Sequence, residues 1–112
     1  MSHTVLIVDD HASFRGFARR LLEAGGLTVI GEAGNAQQAI ASAHELHPDV
    51  VLLDVKLPDG DGFAVAEQLT TAVVLTSSHE LDDLRTRLDR SRARGFIPKD
   101  DLSAEAVVAL LA

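Results

Sequence analysis

Short β-branched apolar runs alternate five times with stretches of helical period, and this alternation constrains the fold more than any other feature of the chain. "TVLIV" (4–8) reads as a strand, and Phe14, Phe17, Ala18, Leu21 and Leu22 then share one helix face. Gly25-Gly26 stop that helix. "TVIGEA" (28–33) is a second strand. Asn35 is placed to cap a helix whose inner face is Ala36, Ala39, Ile40 and Ala43, and Pro48 closes it. "DVVLL" (49–53) is apolar at both parities, as a central parallel strand must be. A short helix follows Gly62, with Phe63, Ala66 and Leu69 inward. "AVVLT" (72–76) is the fourth strand, Leu81, Leu84 and Leu88 mark the next helix, and "GFIPK" (95–99) is a brief last strand. Ser103 can cap a terminal helix with Ala106, Val107, Leu110 and Leu111 inward. Five βα units predict an α/β fold: one doubly wound domain over residues 1–112, its five-stranded parallel sheet covered by helices on both faces.

Composition narrows the function classes. A chain of 112 residues suits one domain, and 46% apolar residues can fill its core. A net charge of −7 argues against general binding to nucleic acid or a membrane surface. Without cysteine there are no disulfides or thiolate metal sites. No apolar run approaches the roughly 18 residues of a membrane span, and "MSHTVLIVDD" lacks a basic leader region, so the expected location is cytoplasmic.

In open parallel sheets, sites form at the carboxyl ends of the strands. Those ends carry Asp9-Asp10, Asp54, Thr76-Ser77-Ser78 and Lys99. A carboxylate at the end of a core strand is costly unless something uses it. Clustered carboxylates raise one another's pKa, and a divalent cation removes the conflict. With oxygen donors and no cysteine or histidine cluster, Mg²⁺ is the natural choice. Asp54 is then free to attack phosphorus and form an acyl phosphate, with Lys99 and the Thr76 hydroxyl offsetting charge on the phosphoryl oxygens.

"VLIVDDH", "VVLLDVKLPDGDGF", "VVLTSS" and "GFIPKDD" resemble the receiver domain of two-component response regulators. The similarity spans nearly the whole chain, and DDH with the DVKLPDGDG loop is most similar to the NarL/LuxR-type subfamily. The resemblance implies a flavodoxin-like fold and a phosphoacceptor switch rather than an enzyme with turnover. Asp54 would be phosphorylated by a sensor histidine kinase or phosphotransfer protein. Asp10 would ligate Mg²⁺ directly, Asp9 would help through water, and the backbone carbonyl of Lys56 would complete the protein ligands. Thr76 would be the switch hydroxyl, Lys99 the phosphate-pairing lysine and Phe96 the switch aromatic. Moving such a two-state equilibrium from about 1:99 to 99:1 needs roughly 5.5 kcal/mol of differential stabilisation. Many such receivers precede a C-terminal DNA-binding domain. None is expected within these residues, so the chain should not bind DNA or a membrane by itself, and a homodimer is open.

Two departures stand out. Only residues 55–75 separate Asp54 from Thr76, so the third helix and its loop must be short. Asp100 follows Lys99 where the family commonly has proline in a cis bond, so this bond should be trans, with a changed loop. Asp100 and Asp101 also sit close enough in sequence to compete for Lys99.

Other features have plainer explanations. Arg85, Arg87, Arg90, Arg92 and Arg94 could form a nucleic-acid or partner patch. Asp82, Asp83 and Asp89 interleave with them, the pairs Asp83–Arg87 and Arg85–Asp89 fall at i,i+4, and no aromatic is near, which favours a solvated helix face. His44 and His47 lack further ligands. His11 follows the acidic pair and is positioned to tune it. "DGDG" (59–62) fails as an EF-hand, since with Gly62 at the sixth position the first is Leu57 and the twelfth Gln68. A haloacid-dehalogenase-type phosphatase also places a nucleophilic Asp after a strand, but Lys56 stands where that family needs a second Asp. A degenerate, phosphate-independent scaffold is the other alternative, kept open by the shortened third helix.

Overall fold

The computed structural model describes residues 3–78 and 84–112. Its strands β1 (Thr4–Val8), β2 (Thr28–Ala33), β3 (Val50–Asp54), β6 (Ala72–Ser77) and β7 (Gly95–Pro98) form one sheet in the order β2-β1-β3-β6-β7, every neighbouring pair parallel. Between β3 and β6 lies a small antiparallel ribbon, β4 (Lys56–Leu57) with β5 (Gly60–Asp61). The helices are α1 (Ala12–Ala24), α2 (Ala36–Leu46), α3 (Gly62–Gln68), α4 (Leu84–Asp89) and α5 (Ala104–Leu111), with a 3₁₀ turn at Lys99–Asp101.

Side chains alternate across a strand with period two, so each strand feeds two separate cores. Val5, Ile7, Val50, Leu52 and Val74 pack with Ala18 and Leu22 of α1 and Val107 of α5. Leu6, Val8, Val51, Leu53, Val73 and Leu75 pack with Ala39 and Ala43 of α2 and Phe63 and Ala66 of α3. The fully buried "VVLL" of β3 sits mid-sheet and serves both layers.

Local chemistry explains the boundaries. Asn35 Oδ1 accepts from Gln38 N–H at 2.8 Å and Ser103 Oγ from Ala106 N–H at 3.0 Å, as expected of both caps. Helix α1 ends at Gly25, and Gly26 takes φ +97°, open to glycine but strained for other residues. Helix α2 ends one residue ahead of Pro48, on His47 at φ 50°. As the spacing requires, α3 has only seven residues, and Leu69 to Thr71 lead into β6. The described peptide bonds are trans, Lys99–Asp100 included, and a 3₁₀ turn begins at Lys99.

Three expectations need amendment. Phe17 does not join the core: 48% of it is exposed, because α1 seals the sheet through a narrow stripe led by Ala18 and Leu22. Arg87 pairs with Asp61 rather than serving only a solvated helix face, and its guanidinium lies 4.3 Å from the Phe63 ring centre. The ribbon is an addition to the five βα units. Leu81, Asp82 and Asp83 lie outside the described residues, and with them the pair Asp83–Arg87.

Candidate phosphoacceptor site

The parity that builds the α1/α5 core also builds the site. Val5 and Ile7 continue to Asp9, Val50 and Leu52 to Asp54, Val74 to Thr76, and Ile97 to Lys99. Four strand ends therefore present polar residues from one face, just beyond the apolar layer. Asp54 and Thr76 are direct register partners. Asp9, Asp54 and Thr76 are all buried, whereas Asp10 is exposed at the rim.

Lys99 is the central cation. Its Nζ lies 2.6 Å from Asp9 Oδ2, 3.3 Å from Asp54 Oδ2 and 4.4 Å from the Phe14 ring centre. It is therefore engaged by the site carboxylates rather than taken by Asp100 or Asp101. The Asp9 contact has ion-pair distance but not hydrogen-bond alignment, leaving the buried Oδ2 without a hydrogen-bond partner. Asp9 Oδ1 accepts from the His11 backbone N–H at 2.8 Å and lies 3.1 Å from His11 Nδ1. Asp54 Oδ1 accepts a 3.2 Å bond from Lys56 N–H.

Electrostatics separates the two buried acids. Burial is the largest influence on Asp9 and pushes its pKa up, but Lys99 and the His11 donors together outweigh it and hold the carboxyl below its ordinary value. At Asp54 burial prevails: aided by the Asp9 charge and only partly countered by Lys56 N–H and Lys99, it raises the pKa. Burial likewise penalises the Lys99 ammonium, yet the two carboxylates more than compensate and its pKa is raised. Three carboxylates against one ammonium leave an excess of negative charge. Ligating atoms of Asp9, Asp10, His11 and Asp54 all lie within 4.8 Å of one another. This oxygen-rich cluster, with a buried carboxylate oxygen lacking an aligned donor, fits a hard divalent cation.

A cavity of about 250 Å³ opens over these groups, lined by Asp10, Asp54, Lys56, Ser77, Ser78 and Lys99 among others. It can admit a small tetrahedral anion. Thr76 sits beside Asp54 but behind this wall, whose β6 side is made by Ser77 and Ser78. Phe96 is half-buried on the opposite face of the sheet, in the layer that also takes Leu84 and Leu88 of α4.

This chain matches the family described as "Response regulator receiver domain" over residues 5–111. The chain belongs to that family. It is therefore a receiver domain of two-component signalling, a switch module. Among relatives, response regulator GacA of Pseudomonas viridiflava is 38% identical over 112 residues, an alignment covering 95% of this chain and 52% of GacA. The nitrate/nitrite response regulator protein NarL of Escherichia coli K12 is 36% identical over 104 residues, covering 87% and 48%. The chain thus spans about half the length of these relatives. Among solved structures, the signal receiver domain of a NarL response regulator from Mycobacterium tuberculosis superposes with TM-score 0.85 at 34% identity, covering 98% of this chain and 94% of that one. A LuxR-family response regulator from Aurantimonas gives 0.88 at 26% identity, covering 99% and 84%. The NarL/LuxR-like character and the flavodoxin-like receiver fold accord with the motifs and sheet order.

Several receiver residues around the pocket carry no obvious sequence signal. Arg15 Nη1 donates to the Asp9 carbonyl at 2.6 Å while its Nε pairs with Glu32 at 3.1 Å, bracing the acidic pair from α1 and β2. Gly62 packs directly beneath Asp54, where a Cβ would collide with the backbone of Asp54 and Val55. Asp59 reaches from the ribbon turn to cap α2, accepting from Ala36 N–H at 2.6 Å and Gln37 N–H at 3.1 Å. Only the density of Gly and Asp in "PDGDG" hinted at such tight turns.

Proposed function

We propose that Asp54 is the phosphoacceptor of this receiver domain. A carboxylate oxygen of Asp54 attacks the phosphorus of a phosphohistidine on a sensor kinase or phosphotransfer protein. The P–N bond breaks as the P–O bond forms, and the imidazole nitrogen leaves with the electron pair. Asp10 and Asp54, with Asp9 and the Lys56 backbone carbonyl, would hold Mg²⁺, which neutralises charge on the phosphoryl oxygens when bound. Lys99 already pairs with Asp54 and is placed to follow the new anion. Thr76, in register with Asp54, is assigned the hydroxyl that moves toward the phosphoryl group. Phe96 shares a layer with Leu84 and Leu88, which supports its role in carrying that movement to α4. The arrangement is a phosphorylation-biased two-state switch, at most assisting its own phosphorylation and dephosphorylation.

The observation that carries this reading is Lys99 Nζ reaching both Asp9 and Asp54 at the mouth of an acidic cavity. The domain, taken as residues 1–112, would act in the cytoplasm. That it spans about half of GacA and NarL supports a longer parent protein, in which a C-terminal DNA-binding domain would carry any transcriptional output; a homodimer of this chain is a separate, open partner. The described residues contain no helix long and apolar enough to cross a membrane. Direct binding of this domain to nucleic acid or a membrane is not proposed.

Incubation with acetyl phosphate and Mg²⁺, read by intact mass, tests the assignment. Wild type should gain one phosphoryl group, and Asp54→Asn or omission of Mg²⁺ should abolish the gain. Labelling that survives Asp54→Asn rejects Asp54 as acceptor. Small phosphomonoesters should not be turned over.

A further inference from the structure

Two carboxylates and one aromatic ring surround the Lys99 ammonium. Nζ lies 2.6 Å from Asp9 Oδ2 and 3.3 Å from Asp54 Oδ2, and it stands over the Phe14 ring, 4.4 Å from the ring centre. That is well inside the roughly 6 Å at which an ammonium is attracted by the negative face of an aromatic ring. The Lys99 side chain is only 12% exposed, so water screens this attraction little. Phe14 is itself held in place. It packs against the core shared by α1 and α5, and the Phe17 ring stands 6.3 Å away at a tilt of 43°, within the usual range for an aromatic pair. The exposed Phe17 thus backs Phe14 from outside the core.

The three contacts are not equivalent. Asp9 and Asp54 are the acids assigned above to a divalent cation, and an ion there competes with the ammonium for their charge. The pull of the ring does not depend on that charge. Lysine carries its ammonium on a flexible four-carbon stem, and exposed Asp100 and Asp101 lie beside it in the 3₁₀ turn. Without the ring, Nζ is free to leave the pocket toward them.

We propose that Phe14 is a positioning residue for phosphoryl transfer: its ring face holds Lys99 Nζ beside Asp54. The inference rests on the reading of Asp54 as the phosphoacceptor. It gives α1 a part in the reaction, exerted through Lys99 and without contact to the phosphoryl group.

Trifluorophenylalanine in place of Phe14 separates charge from packing, because fluorination drains the negative face and nearly keeps the shape. The full chain is phosphorylated with acetyl phosphate and Mg²⁺, and the rate is read by intact mass. Trifluorophenylalanine and Phe14→Leu should each slow phosphorylation about three- to tenfold. In a Lys99→Ala background, whose slower reaction is followed for longer, fluorination should change the rate by less than about 1.5-fold, since the ring then has no ammonium to hold. Proton NMR without metal or phosphodonor gives a second reading. The Lys99 methylene protons next to Nζ should lie upfield under the ring and return downfield in Phe14→Leu. A rate indifferent to fluorination, a rate that falls equally with and without Lys99, or Lys99 protons unmoved by Phe14→Leu would each overturn the proposal and leave Phe14 as core packing, with Asp54 still the acceptor. Wild type that gains no phosphoryl group would overturn the phosphoacceptor reading and this inference with it.

Discussion

Gly62→Ala places one methyl group under the proposed phosphoacceptor. A Cβ there would lie 2.8 Å from Val55 Cα and 3.1 Å from the Asp54 carbonyl carbon, and closer still to the Asp54 carbonyl oxygen. All three are backbone atoms, so no rotamer change relieves the crowding. The chain must open by roughly 1 Å to restore ordinary contact distances. That movement pulls on the Gly62 N–H to Val55 carbonyl bond, 2.6 Å long, which ties the start of α3 to the end of β3. Overpacking of this kind costs about 1–3 kcal/mol, and a weakened hydrogen bond adds up to about 1 kcal/mol. At about 4 °C per kcal/mol for a domain of this size, Tm should fall by roughly 4–16 °C. Thermal unfolding by circular dichroism reads the stability, and intact mass with acetyl phosphate reads the site, whose phosphorylation should slow as Asp54 is displaced. Gly16→Ala is the matched control. Its Cβ would meet only Arg20 Nη1, at 3.6 Å, in the middle of α1. Replacing glycine inside a helix should raise stability by about 0.5–1 kcal/mol. If Gly62→Ala unfolds within about 0.5 kcal/mol of wild type and phosphorylates normally, the close packing beneath Asp54 is wrong.

Other perturbations separate fold from site. Asp54 has a raised folded-state pKa, so its ionised form is disfavoured and stability drains away as pH rises through that value. Without divalent ions, Asp54→Asn should therefore be the more stable protein at pH 7, its advantage shrinking on acidification; a Tm–pH series with the order reversed refutes this. Ser103→Ala removes the cap bond to Ala106 and should cost about 1 kcal/mol in urea unfolding, with phosphorylation intact. Arg87→Ala removes the Asp61 pair and the cation over Phe63, about 0.5–1 kcal/mol by the latter. Amide exchange across residues 84–89 should quicken while acceptor chemistry persists; unchanged exchange would deny the link between α3 and α4.

The five main strands were legible as short apolar, β-branched runs, and the pocket because polar residues stand at their carboxyl ends. The rhythm that buries Val50 and Leu52 also delivers Asp54, and the rhythm of Val5 and Ile7 delivers Asp9. Asn35 and Ser103 were legible as caps because their bonds are local. Non-local partnerships were not. Arg87 finds Asp61 across 26 positions, and Asp59 caps a helix 22 to 23 positions upstream. No helical or strand period encodes such contacts. The two-residue strands β4 and β5 are too short to show a period. The exposure of Phe17 depends on how wide a stripe of α1 meets the sheet, which the apolar pattern alone overstates.

The central claim is chemical: the residue that gains the phosphoryl group is Asp54. Borohydride reduction of phosphorylated protein converts an aspartyl phosphate to homoserine, and peptide mass spectrometry locates the change. Homoserine at position 54, formed only with phosphodonor and Mg²⁺, is the predicted result. Homoserine at Asp9, Asp10 or Asp61, or none at all from phosphorylated protein, would contradict it.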